Sequence, residues 1–360
     1  MNRTIKGAEI LLKSLLEHDV STIFGYPGSC VMSILDYLYN NESTIKHILV
    51  RHERGAVYAA QGYAQVAQEV GVALVTSGPG ATNTVSGIAD AMTNSIPLVV
   101  ITGQVNSQML GTDAFQEVDI ISIAHSITKW VYQVRSASEI ASAIGHAFYI
   151  ASTGRPGPVL LDITKDAQVS EAVYIPQKIN FIRSYTSFEI YDNKTINPNI
   201  VNNPEDNQVN KIVRVLQDVE KEIIVILDIE NNCELELKND KHIQLLNSGS
   251  KGFGLPTAIG AKYADPKKPV CLIVGSNWFQ QSIQELGVVL QSNIDIKIIL
   301  LNDETDRMNP DFLQVATAYN IENRKILSRL TIKEDIEQVL NSKGSYILEV
   351  NPKIHYSKMP

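Results

Sequence analysis

The sequence contains few cysteines, and it has no long hydrophobic run. Its three cysteines, Cys30, Cys233 and Cys271, are too far apart to suggest a disulfide framework or a metal cluster. This cysteine usage favours a reducing compartment, either the cytoplasm or the stroma of an organelle. No stretch reaches the roughly 18–20 uninterrupted apolar residues of a membrane helix, and the first residues contain no apolar signal core. We therefore expect a protein that is neither membrane-bound nor secreted.

The sequence also lacks a basic excess. It contains 31 Lys and Arg against 39 Asp and Glu, which gives a formal net charge of -8. Nucleic acid is therefore not expected as a partner. A chain of 360 residues, 44% of them hydrophobic, exceeds what one hydrophobic core usually organises, so two domains are predicted.

The first half alternates apolar runs with helical patterns. Continuous apolar runs are typical of parallel strands that are buried on both faces, and their alternation with helices predicts a doubly wound α/β sheet. The predicted strands are 22–25, 47–50, 72–76, 97–102 and 159–163, and the predicted helices are 4–18, 31–39, one that follows residue 53, and 137–152.

The second half repeats this architecture. Between residues 170 and 208 the sequence is rich in Asn and Pro, which predicts a linker. The predicted domains are 1–170 and 208–360, two doubly wound parallel-sheet domains joined by the linker 171–207. The second domain is predicted to contain strands 223–227, 269–274, 296–301 and 346–350, and helices 209–219, 252–264, 282–290 and 311–319.

Three motifs in the first half fall where a predicted strand ends and a helix begins. They are Tyr26-Pro27-Gly28, Arg51-His52-Glu53-Arg54, and the stretch from Thr76 to Asn83. Open α/β sheets place their ligand chemistry at this edge. Gly78-Pro79-Gly80 alone is equally expected of an ordinary turn, so the prediction depends on the combination. Glu53 is the predicted catalytic carboxylate.

With Thr102–Val105 and Gly111–Asp119, these motifs make residues 1–170 resemble the pyrimidine-binding domain of thiamine diphosphate enzymes. The most similar group within that family is the acetolactate synthase large subunit. The second half resembles the diphosphate-binding domain of the same family, in Ser248-Gly249, Gly252 to Lys262, and Ile283 to Leu286. The resemblance covers most of the chain.

The resemblance implies a role for each motif residue. Glu53 is expected to hydrogen-bond the aminopyrimidine ring of the cofactor and so promote removal of the thiazolium proton. The implied reaction joins two pyruvate units into 2-acetolactate, a step of branched-chain amino acid synthesis. It implies a dimer in which the pyrimidine domain of one subunit faces the diphosphate domain of another. Expected to contact the cofactor are Pro27, Gly28, Thr76, Pro79, Asn83, Gln116 and Gly252; Val105, Phe115 and Lys165 are expected to line the substrate channel, and Arg155 matches a position that contacts FAD.

The second half departs from the family where a divalent metal should anchor the diphosphate. Ser276 stands where the family has aspartate, Asn277 where it has glycine, and Asp303 where it has asparagine. A serine hydroxyl is a poor ligand for Mg²⁺, which prefers charged oxygen atoms. The remaining candidate ligands are Asp303 and Asn277.

Three further parts of the family pattern are missing. The segment before Gly252 is short, Asn309 to Phe312 stands where a long mobile loop is expected, and no middle FAD-binding domain is present. FAD is therefore not expected. Acetolactate synthesis by this chain alone is hard to reconcile with these losses, whereas a full-length homologue could complete the site. A flavin-free 2-oxo acid decarboxylase and an inactive cofactor-binding or subunit-interaction protein are the alternatives.

Overall fold

The computed structural model describes residues 4–40, 45–182, 185, 208–229, 242–245, 250–302, 309–326 and 331–351. The chain divides into two compact units, Met1–Asp192 and Asn193–Pro360. Each unit contains a six-stranded, fully parallel sheet with flanking helices, which confirms the predicted fold class. In the described part of the chain, no helix combines the length and the hydrophobicity that a membrane crossing requires. Most of the predicted linker lies outside the described residues.

The first unit contains eight strands and eight α-helices among its described residues. The strands are β1 Thr4–Lys6, β2 Thr22–Gly25, β3 Lys46–Leu49, β4 Gly71–Val75, β5 Leu98–Gln104, β6 Trp130–Val134, β7 Pro158–Thr164 and β8 Glu171–Val173. The helices are α1 Gly7–Glu17, α2 Met32–Asn40, α3 Glu53–Ala67, α4 Pro79–Thr82, α5 Val85–Thr93, α6 Ile120–Ala124, α7 Ile140–Ser152 and α8 Lys165–Val169. The main sheet has the order β3-β2-β4-β5-β7-β6.

The helices cover both faces of this sheet. On one face, helices α1, α2 and α7 contribute Leu11, Ile34 and Ile144 to a continuous core, and alternate residues of the strands complete this core. On the other face, α3 packs on β2, β4 and β5 and against α5. Burial on both faces explains why β4 and the first half of β5 are continuous apolar runs.

Two predictions for the first unit were wrong or incomplete. The predicted helix from residue 4 begins instead at Gly7, because Thr4–Lys6 forms a strand that pairs antiparallel with β8. Only the middle residue of that strand, Ile5, is buried. An exposed-buried-exposed pattern of three residues is too short to be distinguished from the strong helical pattern that follows it. The edge strand β6 was not predicted, because its half-exposed residues do not form a continuous apolar run.

The burial of His47, in β3, predicts that the stability of the first unit depends on pH. Burial lowers the pKa of its imidazole from the ordinary 6.5 to about 4, and its Nε2 atom has no hydrogen-bond partner among the described residues. Between these two pKa values the unfolded chain binds more protons than the folded chain. The free energy of unfolding should therefore fall by about 2 kcal/mol as the pH is lowered from 6.5 to 4. This change is smaller than the full difference in pKa would give, because the imidazole ring is only partly enclosed.

The measurement for His47 is urea unfolding at several pH values. His47→Leu should make the unfolding free energy less dependent on pH in this window, whereas His125→Leu, at an exposed position, should leave the dependence as it is. An unchanged slope in His47→Leu would contradict the assignment.

The second unit has six strands and six α-helices among its described residues. The strands are β9 Ile224–Asp228, β10 Ile243–Leu245, β11 Val270–Gly275, β12 Ile296–Leu301, β13 Glu322–Lys325 and β14 Tyr346–Val350. The helices are α9 Gln208–Gln217, α10 Gly254–Ala264, α11 Ser276–Phe279, α12 Leu286–Ser292, α13 Phe312–Ala318 and α14 Ile332–Asn341. The sheet order is β10-β9-β11-β12-β14-β13. The sequence did not predict β10, β13 or α14, and the predicted helix 282–290 is divided into a 3₁₀ turn, Ile283–Glu285, and α12.

Candidate active site

In the first unit, the predicted carboxylate lies at the carboxyl edge of the sheet. The chain leaves β3 and enters α3 at Glu53, and the side chain of His52 caps this helix, its Nδ1 accepting a hydrogen bond from the Arg54 backbone N–H at 3.1 Å. Glu53 is only 9% exposed. A carboxylate in the first turn of a long helix is stabilised by the helix dipole. The strand, the cap and the helix therefore place a buried carboxylate where ligands bind in this class of sheet.

One oxygen of Glu53 is held by the protein and the other is available. Asn83 Nδ2 donates to Glu53 Oε2 at 3.0 Å. His52 Nδ1 is 4.0 Å from the same oxygen, and that nitrogen already accepts a backbone hydrogen bond. Oε1 accepts no hydrogen bond from any residue that the structure describes. The site thus contains an oriented carboxylate with one unused acceptor.

The surroundings of Glu53 have no room for additional side chains. A Cβ atom on Gly28 would lie 2.4 Å from the Cβ and Cγ2 atoms of Thr76. A Cβ atom on Gly80 would lie 2.7 Å from Thr76 Cγ2 and 3.4 Å from Glu53 Oε1. Pro27-Gly28, Thr76 and Pro79-Gly80 follow the adjacent strands β2 and β4, so the structure brings these predicted residues together beside Glu53. Glycine at both positions therefore lets these turns pack directly against Thr76 beside Glu53.

The loop that contains Gln116 forms the rim of this site. Gln116 has a left-handed backbone, with φ at +63°, and a Cβ on Gly78 would lie 2.8 Å from its carbonyl oxygen. Its side chain accepts a hydrogen bond from Ser29 Oγ at 3.2 Å. Gln116 therefore lies over the turn after β4. This position is next to the other predicted cofactor-contacting residues. Ser29, which follows the Pro27-Gly28 motif directly, was not predicted.

A buried hydrogen-bond cluster holds the rim loop to the sheet. Asp162, in β7, accepts hydrogen bonds from Thr102, Gln104 and Gln133, and burial raises the pKa of its carboxyl group to about 6. Gln104 Nε2 also donates to the Val118 carbonyl at 2.9 Å. A single aspartate within an apolar run, as at Asp162, is a pattern that can indicate a buried hydrogen-bond cluster.

The predicted channel residues are placed at neighbouring strand ends or on the rim. Val105 is buried directly after β5, and Lys165 is exposed directly after β7, the strand that pairs with β5. Phe115, on the rim loop, is 86% exposed. Arg155 lies elsewhere: it donates to the Met92 and Thr93 carbonyls and to Ser95 Oγ, and so caps the end of α5.

In the second unit, Gly252 lies at the start of α10. Its φ is +78°, and its backbone N–H donates to Asp228 Oδ1 at 3.3 Å, while the Gly254 N–H donates to Oδ2 at 2.9 Å. Asp228, buried at the end of β9, thus fixes the beginning of this helix. This contact was not predicted from the sequence.

The expected metal position in the second unit contains amide and hydroxyl groups. Ser276 begins α11 directly after β11, and Asn302 follows β12. Asn309 Nδ2 donates to Ser276 Oγ and to Asn302 Oδ1, both at 3.0 Å. Asn277 is exposed, and Asp303 lies outside the described residues. In the ranges described, no three His, Cys, Asp or Glu side chains cluster so that they could hold a metal. This donor set does not fit a divalent cation.

Comparison with known proteins identifies the family. The family model of the thiamine pyrophosphate enzyme N-terminal TPP binding domain matches residues 5–123, and that of the C-terminal TPP binding domain matches residues 236–309. The chain belongs to the thiamine pyrophosphate enzymes. This confirms the family that the motifs indicated.

The similar thiamine pyrophosphate enzymes include several acetolactate synthases. The acetolactate synthase large subunit of Cyanidium caldarium is 26% identical over 546 aligned positions, which take in 97% of this chain and 93% of that protein. Much of that relative therefore aligns with gaps. The large subunit of Corynebacterium glutamicum is 51% identical over 175 residues, 48% of this chain and 28% of that protein. The chloroplastic enzyme of Arabidopsis thaliana is 42% identical over 221 residues, 61% of this chain and 31% of that protein. The chain thus spans under a third of the length of these last two relatives.

The two units differ in how well they suit the cofactor of thiamine pyrophosphate enzymes. In the first unit, the buried Glu53 has an Oε1 atom that accepts no hydrogen bond from a described residue, which suits the pyrimidine end of thiamine diphosphate. In the second unit, the described residues around Ser276 do not fit its divalent metal.

Proposed function

We propose that this chain supplies the glutamate half of an acetolactate synthase-type active site. The substrate is a small 2-oxo acid such as pyruvate, the product is 2-acetolactate, and the cofactor is thiamine diphosphate. The observation that supports this proposal is the geometry of Glu53, which is buried, held by Asn83 through one oxygen, and left with a second oxygen that no described residue engages. FAD is not required.

When it is bound, thiamine diphosphate would supply the carbon nucleophile for reaction at the carbonyl carbon of the 2-oxo acid. Glu53 would hydrogen-bond a ring nitrogen of the aminopyrimidine group through Oε1 and exchange a proton with it. Asn83 orients the carboxylate, while Gly28 and Gly80 keep their turns packed against Thr76 beside it. Val105, Phe115 and Lys165 line the path of the substrate.

The second half of the site comes from another subunit. By family resemblance, the pyrimidine domain of one subunit faces the diphosphate domain of its partner. The partner is either a second copy of this chain or a full-length homologue, and the poor fit of the Ser276 region to a metal supports the homologue. The relatives named above are acetolactate synthases, which does not favour a flavin-free decarboxylase or an inactive binding protein.

Calorimetry tests this proposal. Thiamine diphosphate is titrated with Mg²⁺ into this chain, into a full-length acetolactate synthase large subunit whose glutamate equivalent to Glu53 is replaced by glutamine, and into their equimolar mixture. The mixture is expected to bind the cofactor more tightly than either protein alone. An affinity in the mixture equal to that of the variant homologue alone would contradict the proposal.

A further inference from the structure

The carboxyl ends of β11 and β12 are joined by side-chain hydrogen bonds at the position where the family binds its metal. We propose that the Asn309 side-chain amide takes the place of the cation, so that this edge is a metal-independent clasp formed by Asn309, Ser276, Asn302 and Gln280. This inference concerns the second unit and goes beyond the proposed role of Glu53.

The geometry of the clasp matches the role of a bridging cation. The Asn309 Nδ2 group has two hydrogen atoms and two acceptors, Ser276 Oγ and Asn302 Oδ1, each at 3.0 Å. Gln280 Nε2 donates to Asn309 Oδ1 at 2.8 Å, which fixes the orientation of the amide. One neutral group therefore connects the ends of two adjacent strands.

The two acceptor atoms of the clasp are poor ligands for a cation. Ser276 is 6% exposed and Asn302 is 8% exposed, so a cation there would lose most of its water. It would gain only neutral oxygen ligands from these two residues, and both already accept hydrogen bonds. Mg²⁺ exchanges water reluctantly and is usually bound through one or two carboxylates. The clasp therefore excludes the ion instead of binding it weakly.

The local sequence fixes Asn309 in this position. Pro310 follows it, and Asp311 caps α13 by accepting hydrogen bonds from the backbone N–H groups of Leu313 and Gln314 at 3.1 and 3.0 Å. The capped helix leaves Asn309 directly in front of its first turn. The proline and the helix cap restrict the backbone next to Asn309. Its side-chain amide is therefore held where it can bridge the two strand ends.

Mn²⁺ titration of the intact chain, followed by electron paramagnetic resonance of the free ion, tests the clasp. The wild-type chain is expected to show no saturable binding at this site. Ser276→Asp combined with Asn309→Ala supplies a carboxylate and removes the bridging amide, and should tighten Mn²⁺ binding at least about tenfold. Asn320→Asp combined with Asn309→Ala adds the same charge at an exposed position of the unit and should not tighten it.

A second measurement does not require the double variant to fold. The melting temperature of the wild-type chain should be the same in EDTA and in Mg²⁺, and Asn309→Ala should lower it equally in both. Stoichiometric Mn²⁺ binding by the wild-type chain that Ser276→Ala abolishes would overturn the proposal, as would a wild-type melting temperature that falls in EDTA. Neither readout involves Glu53 or pyruvate, so failure here is distinguishable from failure of the proposed function.

Discussion

Glu53→Gln is expected to lower acetolactate formation by about 10²–10⁴-fold, the usual contribution of a positioned proton-transfer group. The assay uses a mixture of this chain with a full-length large subunit that carries glutamine at the equivalent position. Glu53 then provides the only glutamate at this position in the mixture. Glutamine keeps the shape and can still accept the hydrogen bond from Asn83. It cannot take up or release the proton, so the rate should fall while the melting temperature changes little.

Glu69→Gln is the matched control, because Glu69 is an exposed carboxylate just beyond the end of α3. It should leave the rate unchanged. An equal loss in both variants would indicate a general effect of removing charge, and a full rate in Glu53→Gln would exclude Glu53 from the reaction.

Gly28→Ala should have the second largest effect. The added Cβ would lie 2.4 Å from the Cβ and Cγ2 atoms of Thr76, a distance that real Cβ atoms do not tolerate. The Cβ of Thr76 is fixed to the backbone, so the loop after β2 must move away from Thr76. Overpacking of this kind costs about 1–3 kcal/mol, and we expect it to weaken thiamine diphosphate binding to the mixed assembly roughly tenfold or more. Calorimetric titration of the cofactor measures this change.

Gly275→Ala provides the control for the substitution itself. A Cβ at Gly275 would meet nothing within 4 Å, and its φ of -74° suits alanine. This variant should bind the cofactor as the wild-type mixture does. If Gly28→Ala also binds normally, the close approach at Thr76 is not needed for the site.

In the first unit, the site residues that lie just after the ends of strands could be placed from the sequence. Gly28, Glu53 and Thr76 each follow a parallel strand, and neighbouring strands bring their carboxyl ends to one edge, so sequence position sufficed to place them together. Ser29 and the hydrogen-bond partners of Asp162 could not be found in this way. Ser29 contacts Gln116, 87 positions further along the chain, and Asp162 contacts Thr102, 60 positions before it. No local pattern encodes such long-range partners.

The second unit was less predictable at its edge and at its metal position. β13 is half-exposed and polar, so it lacks the apolar run that identified the other strands. Around Ser276, the expected spacing led to Asp303 as a substitute ligand, a residue outside the described ranges. The Asp303 assignment therefore stays a prediction, and the contact that the structure gives Ser276 is with Asn309, 33 residues away. An asparagine in a turn does not indicate such a role, because asparagine is common in helix caps and loops.

The central claim is that Glu53 completes a site whose other half belongs to a full-length partner. The most direct test adds increasing amounts of the wild-type chain to the large subunit with glutamine in place of its glutamate, and measures acetolactate formed from pyruvate in thiamine diphosphate and Mg²⁺. The rate should rise from near zero and level off at equimolar chain. A mixed assembly that forms, as shown by co-purification, yet produces no acetolactate would contradict the claim.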